Sequence, residues 1–202
     1  MVEVSSGNDR PYELGPPGDV SAYVVVDFAT EGIWLSYAGY EGPGGGLFLL
    51  DLATGVLKDA GVPGLVAPVS GGPGVFWFTD AGMTPQTSTG MGSIIPARLQ
   101  RLTISDGKTQ TWFSKPGSYL GILGSDLAGH PIFWANSDIW SIVMALSPSE
   151  TKVIGLPQGD YQLIADSHGA WLGGQQGIYL YSNAGVLQKV SNQPGYPANG
   201  CF

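Results

Sequence analysis

The 202-residue sequence predicts an all-β chain of repeated four-stranded antiparallel units. Three observations carry this. A Pro-Gly step recurs along the chain, each time before a short apolar run: Pro17-Gly18-Asp19, Pro63-Gly64-Leu65, Pro116-Gly117-Ser118, the variant Pro157-Gln158-Gly159-Asp160, and Pro194-Gly195-Tyr196. Its glycines stand 46, 53, 42 and 36 residues apart, a spacing typical of stacked or radial repeats. Each segment between the steps holds four short apolar or alternating runs bounded by Gly, Pro, Asn or Asp, the pattern of strands and tight turns. No segment has a convincing helical period; the nearest, Trp140 to Leu146, is too short and too β-branched.

Within each segment the runs follow one order. The second strand carries an aromatic beside a glycine or proline: Gly32-Ile33-Trp34, Gly74-Val75-Phe76-Trp77, Pro131-Ile132-Phe133-Trp134 and Gly169-Ala170-Trp171. The third and fourth strands are joined by hairpin signals at Thr54-Gly55, Asp106-Gly107, Ser147 to Glu150, and Asn183-Ala184-Gly185. These are residue types that accept the backbone of tight hairpins. Four strands per repeat is the composition of a β-propeller blade; a β-sandwich would not repeat one strand order with the same turn chemistry. The expected organisation is a half blade at 1–16, four full blades at 17–62, 63–115, 116–157 and 158–193, and the start of another at 194–202. Two arrangements fit: an excerpt of a larger ring, which motif count favours, or a five-bladed ring closed by the two ends.

Composition narrows the partners. Glycine (32) and proline (15) make turns frequent, while 43% hydrophobic and only 12% charged residues exclude a disordered chain. A net charge of −8 with only 8 Lys and Arg argues against nucleic acid or an anionic membrane surface. No apolar stretch is long enough to span a bilayer, so no membrane insertion by this chain is expected. Residues 1–16 have neither a basic n-region nor an apolar h-region, so no signal peptide is expected in them. The single Cys201 makes no internal disulfide.

The strings GAWLGGQQGIYLY, GIWLSYA and DLATGVL carry a family likeness. Asp51-Leu52-Ala53-Thr54-Gly55 matches a strand ending in Asp-x-x-Thr-Gly, and Asp166-Ser167-His168-Gly169-Ala170-Trp171 matches an Asp–Gly turn before an aromatic strand. Asp27 to Trp34 and Asp126 to Trp134 repeat that turn with longer spacers. In these features the chain resembles the sensor-type (two-component regulator) propellers and the streptogramin-lyase-like propellers, over nearly its whole length. The resemblance implies the propeller fold; the location is left open, an extracellular or periplasmic one being favoured. The lyase branch implies a catalytic His and Glu around a metal, but no residue here maps onto them, because His130 and His168 both precede the second strand. No catalytic residue and no metal ligand is therefore assigned, and no cofactor is expected beyond a divalent metal that a central channel could hold.

Asp27, Asp126 and Asp166 fall at repeat-equivalent turns. They are read as turn carboxylates bonding nearby backbone N–H groups rather than as an acid–base set. His130 and His168 are read as solvent-facing turn residues, since a two-His metal site needs convergence and a further ligand. The loops at the other end of the blades, around the mouth of the central channel, are the expected binding face. There Asp19 and Asp160 follow the Pro-Gly step, the loop from Ser36 to Gly46 carries Tyr37, Tyr40 and Glu41, and the polar loop from Thr79 to Ala97 carries Asp80, Met83, Gln86 and Met91. Shorter loops carry Asn136, Asp138, Gln175 and Gln176. The resulting expectation is a non-enzymatic module that binds a small molecule, glycan, peptide or another protein through Asp19, Tyr37, Tyr40, Glu41, Asn136, Asp160 and Gln175. The alternatives are a metal-dependent propeller lyase or hydrolase with catalytic residues mostly elsewhere, and a structural segment of a sensor ectodomain.

Overall fold

The structure, a computed structural model, describes residues 23–37, 46–62, 65–83, 94–115, 119–136 and 140–196. These residues form four antiparallel four-stranded sheets and no helix. The first sheet holds β1 (Tyr23–Ala29), β2 (Gly32–Tyr37), β3 (Leu47–Asp51) and β4 (Leu57–Asp59); the second holds β5 (Leu65–Ser70), β6 (Val75–Met83), β7 (Ile94–Thr103) and β8 (Lys108–Ser114). The third holds β9 (Tyr119–Ser125), β10 (Pro131–Asn136), β11 (Trp140–Ser147) and β12 (Glu150–Ile154); the fourth holds β13 (Tyr161–Asp166), β14 (Gly169–Gly174), β15 (Gly177–Ser182) and β16 (Leu187–Ser191). In each sheet the strands pair in chain order. The half blade expected at 1–16 lies outside the described residues, as does the expected strand at 194–202 apart from residues 194–196, which are not in a strand.

Each sheet lies inside one Pro-Gly-bounded segment, and neighbours meet in sequence, β1 against β5, β5 against β9 and β9 against β13. The second strand of each sheet explains why they stack. Its alternate residues point to opposite faces, so an apolar run buries both. On β6, Phe76 faces the first sheet, where its ring meets Trp34 edge-on at 5.1 Å, and Trp77 packs with Phe133 and Leu120 of the third sheet. On β10, Phe133 faces the second sheet while Ile132 packs with Ala170, Leu172 and Tyr179 of the fourth. The cores are thus layers between consecutive sheets, and Phe76, Trp77, Ile132, Phe133 and Leu172 are almost wholly buried.

One element departs from expectation. The stretch from Thr79 to Ala97 is not all loop: β6 runs on to Met83 and β7 begins at Ile94, with Asp80 paired to Arg98 and Met83 to Ile94 in the ladder. The Asp80 carboxylate and the Arg98 guanidinium form an ion pair across this extension. Gln86 and Met91 lie outside the described residues.

The β3–β4 hairpin shows how the turn residues act. The Asp51 Oδ1 atom accepts the N–H groups of Ala53 and Thr54, both at 3.0 Å, and Oδ2 accepts Lys58 Nζ at 2.8 Å. The Lys58 hydrogen bond first, then the Thr54 N–H, hold the Asp51 carboxyl at about 2, below its ordinary 3.8. A depressed folded-state value adds stability that is present above pH 3.8 and is lost as the pH falls towards 2. Asp51→Asn is therefore expected to lower the melting temperature at pH 7. The gap from wild type should close between pH 4 and pH 2, as thermal melts across pH would show. A gap independent of pH would mean that the charge contributes nothing.

Candidate functional site

The residues expected at the binding face are only partly gathered. Asp19, Tyr40 and Glu41 lie outside the described residues. Tyr37 ends β2 opposite Tyr23, with the two rings edge-on at 6.2 Å. Asn136 ends β10, in register with Tyr119 and Trp140. Asp160 and Gln175 come together at one end of the fourth sheet, because Tyr161 pairs with Gly174. Both are exposed, and Gln175 Nε2 donates to Tyr196 Oη at 3.3 Å. Beside them Tyr161 donates its hydroxyl to Pro157 O at 2.9 Å, and burial, aided by Tyr179, pushes that hydroxyl up to about 12. Tyr37 and Asn136 occupy the corresponding ends of other sheets.

The turns at the opposite end are tied together by polar side chains. Asp27 Oδ1 accepts Phe28 N at 2.8 Å and its Oδ2 accepts Ser70 Oγ at 2.7 Å, which links the first sheet to the second. Ser125 Oγ donates to Ser70 O at 2.7 Å and carries the link to the third. Asp126 Oδ1 accepts His130 N at 2.8 Å, while Oδ2 stands 2.9 Å from His130 Nδ1. Asp166 bonds His168 in the same way, at 2.8 Å to the backbone and 3.3 Å to the ring, and its carboxyl is held below the usual range mainly by the His168 N–H. Among the described residues no three His, Cys, Asp or Glu side chains gather where a metal ion could be held.

A cleft of about 510 Å³ opens at this end between the third and fourth sheets. Three elements build it. The β9–β10 turn supplies Asp126, Leu127 and His130; β11 and β12 supply Met144, Leu146 and Lys152; β15 and its hairpin supply Tyr181, Ser182, Asn183 and Gly185. The volume is within the range of small-molecule sites, roughly 300–1,000 Å³. Its lining is mixed: Met144 and Tyr181 form a buried floor, Leu127 and Leu146 offer apolar surface, and Asp126, His130, Lys152, Ser182 and Asn183 supply polar groups. Lys152 Nζ donates to Gly185 O at 3.1 Å and lies 5.3 Å from the centre of the Tyr181 ring. With Nδ1 directed at Asp126, His130 keeps Nε2 for another partner. His130 is thus not simply a solvent-facing turn residue: its side chain is one third exposed and lines the cleft, whereas His168 is 71% exposed.

Sequence reasoning placed Asp126 and His130 in a turn but missed Lys152 and the 182–185 hairpin as parts of a site. The only local signal was the positive charge of Lys152, one of 8 Lys and Arg in the chain. Comparison with protein-family models and with curated proteins gives no match. Among the described residues, no helix is long and apolar enough to cross a membrane.

Proposed function

We propose that this chain is a propeller-type binding module that captures its ligand without covalent chemistry, in the cleft between the third and fourth sheets. The cleft itself carries the reading: a concave site with some apolar surface and several converging polar groups is a common form of ligand site. The consecutive stacking of four like sheets supports the propeller. Its hydrogen bonds favour binding over catalysis. Asp126 meets His130 at Nδ1, and among the described residues no hydroxyl or thiol is hydrogen-bonded to the imidazole. A nucleophile needs an adjacent base to be activated, and that pairing is not made.

A second reading places the ligand at the other end of the fourth sheet. Exposed Asp160 and the Gln175–Tyr196 pair favour it, and Tyr37 ends β2 at the corresponding end of the first sheet. A polar and aromatic edge of this kind suits a sugar or a peptide.

One experiment separates the two. A fragment panel titrated into the ¹⁵N-labelled chain should shift the amide signals of Lys152, Asn183 and Gly185. Shifts confined to Asp160, Gln175 and Tyr196 would move the function to the other end, and no shift at either place would overturn both readings.

A further inference from the structure

Resting on that reading, we infer that the cleft takes a small monocarboxylic acid, its carboxylate on Lys152 Nζ and its hydrocarbon or aromatic body against Leu127 and Leu146. The argument starts from charge. Lys58, Arg98 and Lys108 are each paired with a carboxylate, Asp51, Asp80 and Asp106. Lys152 is held differently. Its ammonium meets a backbone carbonyl and an aromatic face and, among the described residues, no carboxylate. Lys189 also lies over a ring, that of Tyr179, but it does not line the cleft.

An ammonium has three N–H donors, and Gly185 O accepts one. The others can serve an anion. Ser182 adds a hydroxyl: its oxygen accepts Val186 N, which leaves the O–H to donate. The nearby Asp126 carboxylate is hydrogen-bonded by His130 at both oxygens but keeps its negative charge. That carboxylate limits the charge the cleft accepts. A cleft lined by one lysine and one aspartate suits a monoanion, whereas a phosphate monoester would bring two negative charges to a single cation. The exposed apolar surface of Leu127 and Leu146 then favours a ligand with a hydrocarbon or aromatic body over a small mineral anion.

Matched pairs of probes test this. Benzoate and benzamide, and hexanoate and hexanamide, are titrated into the whole chain by ¹⁵N shift mapping and calorimetry. Each acid should bind in the cleft about tenfold or more tightly than its amide, the usual worth of a hydrogen bond to a charged group. Lys152→Met keeps an unbranched side chain without the ammonium and should abolish the preference while leaving amide affinity unchanged; Lys152→Arg should retain it. A melting temperature near wild type for both variants confirms that they fold. Equal binding of acid and amide, or a preference that survives Lys152→Met, would overturn the carboxylate inference and leave the cleft as a binding site. If none of the four probes shifts a cleft residue, both the inference and the reading beneath it fall.

Discussion

Trp77→Ala is expected to destabilise the fold by about 3–5 kcal/mol, the range for emptying a buried tryptophan site. Trp77 is 1% exposed and lies in the layer between the second and third sheets with Leu120 and Phe133. Its ring meets Trp112 edge-on at 4.6 Å, and its Nε1 donates to Gly129 O in the β9–β10 turn at 2.9 Å. Alanine would remove the packing and also leave that carbonyl without this donor, in a layer built from rigid strands that can collapse only partly onto the space. Trp77→Phe separates the two losses. It keeps most of the apolar volume, and its smaller cost, about 1–3 kcal/mol, reports the unpaired carbonyl and the residual gap. Urea unfolding of both variants gives the numbers. A cost below about 1 kcal/mol for alanine would mean that the second and third sheets do not depend on this contact.

The same residue shows why so much of the fold was legible. The pattern of glycine or proline, one or two apolar residues and tryptophan marks a strand whose two faces are both buried, and all four instances became the second strand of a sheet. Thr54-Gly55, Asp106-Gly107, Ser147 to Glu150 and Asn183 to Gly185 all join third and fourth strands. Tight turns are decided by a few adjacent residues, so a sequence displays them. The extension of β6 to Met83 and of β7 back to Ile94 was not legible, because Gly82, Pro96 and the polar run 84–93 between them look like loop. Pairing across the chain decided it, with Asp80 and Arg98 in register and joined by charge.

The site divides along the same line. Asp126 and His130 were visible as one turn, since they are four residues apart and bond each other. Lys152 and Gly185 are far apart in the chain and on different sheets, and they meet only because the third and fourth sheets stack through Ile132, Met144, Leu172 and Tyr181. Local chemistry can predict a turn carboxylate. It does not foresee a cleft between two sheets, whose shape depends on how every apolar residue in the layer packs.

Gly129→Ala should be the second severe substitution, and its effect should reach the cleft. Gly129 has φ +82°, a conformation costly for a residue with a Cβ. The added atom would also overlap the backbone oxygen of Gly71, in the β5–β6 turn of the neighbouring sheet. Gly107 provides the control: its φ is +64°, but a Cβ there would meet nothing within 4 Å. Gly107→Ala should therefore cost only the backbone strain, about 1 kcal/mol. Gly129→Ala should cost that and the overlap, about 2–4 kcal/mol together, because backbone on both sides must shift. The turn that shifts carries the carbonyl that accepts Trp77 and the Asp126–His130 pair that lines the cleft. Probe binding in the cleft should weaken in Gly129→Ala at temperatures where the chain remains folded, and stay at the wild-type level in Gly107→Ala. Equal costs for the two alanines, read by urea unfolding, would show that the two turns do not press on each other. Unchanged probe affinity in Gly129→Ala would show that the cleft is built independently of the contact between the second and third sheets.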